Sequence, residues 1–152
     1  MSLADGDRAR GWRALAALQN RIEDRIERAL QEAHDLSVNE FCALHLLSQA
    51  GEGHLRMQQL ADRLVLSQSA TTRLVSRMEE RGLLTRTLDA ADRRGICARS
   101  TEAGRRLLAK AVPTHNSALD DALAEASELP ELGPLVTALE SLDVKVEESA
   151  SA

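Results

Sequence analysis

Residues 67–82 can be ordered in essentially one way. Ala70, Leu74, Val75 and Met78 recur at helical spacing on one side, while Ser69, Thr72, Arg73, Ser76 and Arg77 fall at i, i+3, i+4, i+7 and i+8 on the other. One face must be packed, and the other is a strip of hydroxyls and guanidiniums too polar to bury. Gly82 supplies the residue type favoured just past a helix end, so the pattern predicts a helix over 67–81.

The segments around it constrain its setting. Met57, Leu60, Ala61 and Leu64 predict a brief helix that ends near Leu64, with Val65 and Leu66 as a tight connection to Ser67. Beyond Gly82, residues 83–88 and 96–99 read as two short strands joined by a polar loop over 89–95 that contains Asp92, Arg93, Arg94 and Gly95. A short helix, a tight turn, a longer helix and a hairpin with a basic tip are the elements of a winged helix-turn-helix.

The flanks read as helices. Residues 7–34 place Leu15, Leu18, Ile22, Ile26, Ala29, Leu30 and Ala33 on one stripe. Ser37 with Glu40 forms a capping box and Leu36 with Phe41 a staple, so a second helix should start at Val38 and stop at Gly51. Residues 52–56 read as a turn or extended link. Thr101 is a cap for a fifth helix that Pro113 should kink or interrupt. Pro130 and Pro134 bracket a turn, after which Leu132, Leu135, Leu139, Leu142 and Val146 form a narrow seam suited to helix-on-helix packing. The expected fold is mainly α, with about six helices and a small β-hairpin wing.

At 152 residues the chain suits one domain, 1–152. Trp12 and Phe41 are its only aromatic residues apart from histidines, so the core must be aliphatic. Residues 1–10 hold no apolar run and no stretch of about 18 apolar residues occurs anywhere, which predicts a cytoplasmic protein without a membrane span. Cys42 and Cys97 lack CxxC spacing; Cys42 reads as a small core residue and Cys97, in a hairpin strand, as the more accessible thiol. The four histidines are scattered, with no carboxylate set at ligand spacing, so no metal is expected. Neither a nucleophile–base pair nor a phosphate loop is evident, so neither catalysis nor a cofactor is expected.

Net charge is −5, yet its distribution is uneven. Residues 56–106 hold eleven Arg and no Lys against six acids, between flanks that are both acidic. Guanidiniums suit bidentate contact to phosphate or guanine, which points to double-stranded DNA. Arg73 is the candidate for reading guanine, Thr72 for a base edge or a thymine methyl, and Arg77 for phosphate. Ser67, Gln68 and Ser69 occupy the helix N-terminus, where free N–H groups favour a base edge or phosphate. Arg93 and Arg94 could reach phosphate or a narrow minor groove, with Asp92 orienting one of them.

Leu60-Ala61-Asp62-Arg63-Leu64, Leu66-Ser67, Thr72-Arg73-Leu74-Val75, Glu80-Arg81-Gly82-Leu83, Asp92-Arg93-Arg94 and Thr101-Glu102-Ala103-Gly104 together resemble the MarR family of bacterial regulators. The resemblance implies a homodimer, with residues 7–34 plus 101–148 as the dimerisation region and 37–100 as the DNA-binding lobe. It further implies a repressor of a pseudo-palindromic operator that a small-molecule effector can release. Trp12, Arg13, His45 and His115 could line an effector cleft between the two regions. The family's wing usually runs into a Leu-Thr pair, where this chain has Ser100-Thr101. Its peroxide-sensing branches resemble one another in a Cys near the first helix with tyrosines nearby, and this chain has no Tyr. The competing reading is a ligand-binding or protein-interaction module on the same scaffold without specific DNA binding.

Overall fold

The computed structural model describes residues 3–88 and 95–142. Within them the order is α1 (Leu3–His34), α2 (Val38–Gln49), β1 (His54–Arg56), α3 (Met57–Leu64), α4 (Gln68–Glu80), β2 (Leu84–Leu88), β3 (Ile96–Ser100), α5 (Glu102–Ser127) and α6 (Gly133–Glu140). Local chemistry sets several boundaries. Ser37 Oγ accepts the Glu40 N–H at 3.1 Å while Glu40 Oε1 accepts the Ser37 N–H at 3.0 Å, a complete capping box at the start of α2. Thr101 Oγ1 accepts the Gly104 N–H at 3.0 Å and caps α5.

Two apolar clusters hold these elements together. The larger gathers Leu30, Leu36, Phe41, Leu44, Leu47, Leu60, Leu74, Met78 and Leu84 beneath the short helices and the sheet. Each fully buried leucine there contributes about 1.5–3 kcal/mol. The smaller, of Leu18, Leu123, Ala126, Leu132 and Val136, lies where α1, α5 and α6 meet.

The sheet has three strands rather than a lone hairpin, in the order β1-β3-β2, all antiparallel. His54 faces Arg99 and Leu55 faces Ala98, so the expected link over 52–56 includes a strand. This alters two other expectations. Helix α2 ends at Gln49 with Ala50 extended, and Gly51–Gly53 forms a 3-10 turn that sends the chain into β1; positive φ falls at Glu52 and Gly53 instead of at Gly51. Cys97 sits on the central strand and is buried, not accessible, because β1 and β2 both cover its strand.

Pro113 does not interrupt α5, which runs as one helix from Glu102 to Ser127. The ring removes one backbone donor, but α1 packs along α5 on both sides of that point. His34 Nε2 lies 2.8 Å from Thr114 Oγ1, Arg25 donates to Glu125 at 2.9 Å, and Ala111 and Ala118 are buried. Pro130 and Pro134 bracket a turn as expected, and Pro134 lies in the first turn of α6, where its missing N–H is no loss. On α6 and beside it Leu132 and Val136 are buried, while Leu139 and Leu142 of the expected seam are exposed. Val146 lies outside the described residues.

The Ser100-Thr101 junction is tightly bound. Thr101 Oγ1 donates to the Gly82 carbonyl at 2.6 Å, the Thr101 N–H donates to Leu83 O at 3.0 Å, and Arg105 donates to Ser100 O at 2.8 Å. Ser100 is buried there.

Candidate nucleic-acid interface

Helix α4 is set by signals at both ends. Ser67 Oγ accepts the Ala70 N–H at 3.1 Å, and at the far end the Gly82 N–H donates to Glu79 O and the Leu83 N–H to Met78 O, both at 2.9 Å. That is the Schellman pattern, with Gly82 at φ 74°. Helix α3 ends in the same way, the Leu66 N–H donating to Ala61 O at 3.0 Å and the Val65 N–H to Asp62 O at 3.2 Å. Three residues then suffice to turn the chain from α3 into α4.

Leu74, Val75 and Met78 are buried as the spacing requires, while Ala70 is only half-buried. Thr71 completes the buried face, a residue the apolar pattern misses. Its hydroxyl donates to Ser67 O at 2.9 Å, so it enters the core without an unpaired donor.

Opposite that face, Ser67, Gln68, Ser69, Thr72, Arg73 and Arg77 are all exposed. Ser67 is committed to its capping role and lies 3.2 Å from the Ser69 hydroxyl. Thr72 Oγ1 donates to Gln68 O at 2.9 Å, which leaves its lone pairs and methyl group to face outward. Among the described residues, no ion pair engages Arg73 or Arg77. Arg93, Arg94 and Asp92 lie outside the described residues.

Two grooves flank α4. One of about 460 Å³ runs beside Arg73 and Arg77 toward Asn39 at the start of α2. The other, of about 400 Å³, separates α4 from the wing and is edged by Gln68, Thr72, Arg56, Gln58, Arg86 and Ile96. Arg56, Gln58 and Arg86 escape the sequence reading. Arg56 and Gln58 belong to the start of α3, which follows directly on β1 where that strand pairs with β3.

Arg86 is held by Ser76 and Glu79 of α4. Ser76 is consequently half-buried, unlike the other residues of its face, and its hydroxyl is engaged by Arg86. Hydrogen bonds from the Arg86 side chain and main chain hold the Glu79 carboxyl below its ordinary pKa.

Of the four residues considered for an effector cleft, the structure groups two. Phe41 stacks on His115 with centroids 4.5 Å apart and on His45 with centroids 6.1 Å apart, its ring nearly parallel to both. Trp12 and Arg13 are exposed on α1, near the smaller apolar cluster. Burial first, and the Glu23 charge second, push the Cys42 thiol above its ordinary pKa. Among the described residues, no group of three or more potential ligands could hold a metal ion, and no helix is long and apolar enough to cross a membrane.

Known proteins share this arrangement. The MarR family matches residues 34–95. The chain is 33% identical over 107 residues to the HTH-type transcriptional regulator MhqR of Bacillus subtilis (strain 168), across 70% of this chain and 72% of that protein. AbsC, a MarR family transcriptional regulator from Streptomyces coelicolor, superposes with a TM-score of 0.74 at 28% identity, covering 92% of this chain and 93% of its own. Sco3205 of the same organism, a MarR family regulator solved in complex with DNA, gives 0.75 at 24% identity over 92% of this chain and 86% of its own. Six helices, the winged helix-turn-helix and a relative matched over most of its length lead to one conclusion: the chain belongs to the MarR family of transcriptional regulators.

Proposed function

We propose that this chain is a homodimeric repressor that binds a pseudo-palindromic operator and releases it on binding a small molecule. The observation that carries the DNA-binding reading is the outer face of α4. Thr72, Arg73 and Arg77 stand exposed there, above a buried row of Leu74, Val75 and Met78 that fixes their direction. A major groove about 12 Å wide admits such a helix. In this reading Arg73 addresses guanine, Arg77 a phosphate, and Gln68 and Ser69 the base edges or backbone at the helix N-terminus. Thr72, its proton already given to Gln68 O, offers an acceptor to adenine or cytosine amino groups, or its methyl to thymine. Ser67 caps the helix and leaves its first N–H groups directed at the groove. Arg93 and Arg94 supply the wing's contacts. Sco3205, of the same fold, was crystallised with DNA.

Residues 37–100 are the DNA-binding lobe, and 7–34 with 101–148 the dimerisation region. The exposed apolar residues Trp12, Leu15, Leu139 and Leu142 support this division, because a second copy would cover them. Two lobes related by a twofold axis then meet half-sites about one helical turn apart. The stacked Phe41, His45 and His115, at the junction of the two regions, are the candidate seat of an effector.

The test is to pass sheared genomic DNA over the purified protein and sequence what is retained. The reading predicts a small set of enriched fragments sharing an inverted repeat, with affinity that falls steeply as salt rises. Retention without sequence enrichment would overturn it.

A further inference from the structure

We propose that Arg86 is a positioning residue: with Ser76 and Glu79 it clamps the first strand of the wing to α4 and fixes the spacing of the two elements that enter DNA. The proposal rests on the DNA-binding reading given above.

Three contacts from one residue make the clamp. The Arg86 main-chain N–H donates to Glu79 Oε2 at 3.0 Å, and its Nη2 donates to Glu79 Oε1 at 3.2 Å and to Ser76 Oγ at 3.1 Å. Both oxygens of Glu79 are thus occupied by a single strand residue. Ser76 and Glu79 lie three residues apart, side by side on one helical face. Arg86 pairs in register with Ala98 of β3, which is fully buried, so β2 cannot turn about its axis without breaking the sheet.

The corner between the two elements is itself held, with Thr101 donating to the Gly82 and Leu83 carbonyls, and the clamp carries that hold further along β2. Between α4 and β2 the chain passes through Arg81, Gly82 and Leu83, with Gly82 at φ 74°. Those bonds hold the chain as far as Leu83, and Arg86, three residues on, sets how close β2 runs to α4. A guanidinium can bond a carboxylate and a hydroxyl at once, which a lysine ammonium does with less directional control. The pair is roughly one-third exposed on each side, so its contribution to overall stability is small and its effect is geometric.

Charge supplies the second argument. Glu79 is an anion on the helix that meets DNA, where a bare carboxylate would repel phosphate. Neutralised by Arg86, it serves the geometry without that repulsion.

The test uses a fragment retained by the wild-type protein and a scrambled version of it, with affinities read by fluorescence anisotropy at fixed salt. Glu79→Ala removes a negative charge and frees a guanidinium, so electrostatics alone would tighten binding to both DNAs. The clamp predicts the opposite for the retained fragment, a loss of about tenfold or more, with the scrambled DNA bound as well as before or better. The exchange Glu79→Arg with Arg86→Glu should recover part of the lost discrimination. Equal or tighter binding of the retained fragment by Glu79→Ala overturns the clamp. Should that variant fail to fold, Arg86→Lys, which keeps the charge, must lose discrimination, and an unchanged ratio overturns the proposal. If the wild-type protein itself does not distinguish the two fragments, it is the DNA-binding reading that fails.

Discussion

Arg81 donates through Nη1 to Glu40 Oε2 at 2.9 Å, which ties the end of α4 to the first turn of α2. Glu40 also accepts the Ser37 N–H through its other oxygen, and its side chain is only 11% exposed. One carboxylate therefore completes a capping box and anchors α4 to the scaffold. Replacing Glu40 by Ala should cost about 2 kcal/mol, from the lost cap and a charge-assisted hydrogen bond. For a chain of this size that is a fall in Tm of roughly 4–8 °C. A melt within a degree of wild type would show the pair to be incidental.

Features whose causes lie within a few residues were legible in the sequence. The Ser37–Glu40 box, the Thr101 cap, the two faces of α4 and the glycine at its end each follow from neighbours in the chain. The three residues of β1 have no readable period, and their partners, such as Arg99 opposite His54, are 45 positions away. Burial of Cys97 followed from that pairing and was hidden with it. The continuity of α5 through Pro113 depends on α1 packed alongside, which a rule about proline in isolation does not contain. Within the candidate site, Arg73 and Arg77 were readable from helical spacing. Arg86 was not, because a lone arginine in a short strand looks like any exposed charge until α4 is laid against it.

Gly104 has a demanding place in the fold. A Cβ there would lie 2.2 Å from the Leu83 carbonyl oxygen and 3.2 Å from Leu44 Cδ2. On an open helix surface, Gly→Ala stabilises by roughly 0.5–1 kcal/mol. Here the backbone of the wing's base must move, so Gly104→Ala should destabilise by at least about 2 kcal/mol in urea unfolding.

Val65, at φ 56° and ψ 43°, is a β-branched residue in the left-handed region and is 88% exposed. The conformation costs about 1–2 kcal/mol, and no burial offsets it. Val65→Asn should raise stability by about 1 kcal/mol, since asparagine tolerates that region. A lower Tm would mean that Val65 makes a contact absent from the isolated chain.

The thiols should be slow to react. Cys97 is buried, and burial together with the Glu23 charge raises the Cys42 pKa, so thiolate is scarce at neutral pH. Alkylation followed by intact mass should proceed more slowly than for a free thiol at pH 7, with Cys42 modified before Cys97. Rapid double labelling of the native protein would contradict this.

The central claim is that the exposed face of α4 reads DNA, and Arg73→Ala tests it most directly. Arg73 is exposed and makes no ion pair among the described residues, so the substitution should leave Tm unchanged. Affinity for the fragment retained by the wild-type protein, divided by affinity for its scrambled counterpart at the same salt, is the quantity to measure. The account predicts that this ratio falls by roughly 5- to 150-fold, the equivalent of about 1–3 kcal/mol. A ratio unchanged from wild type, in a folded Arg73→Ala protein, would contradict it.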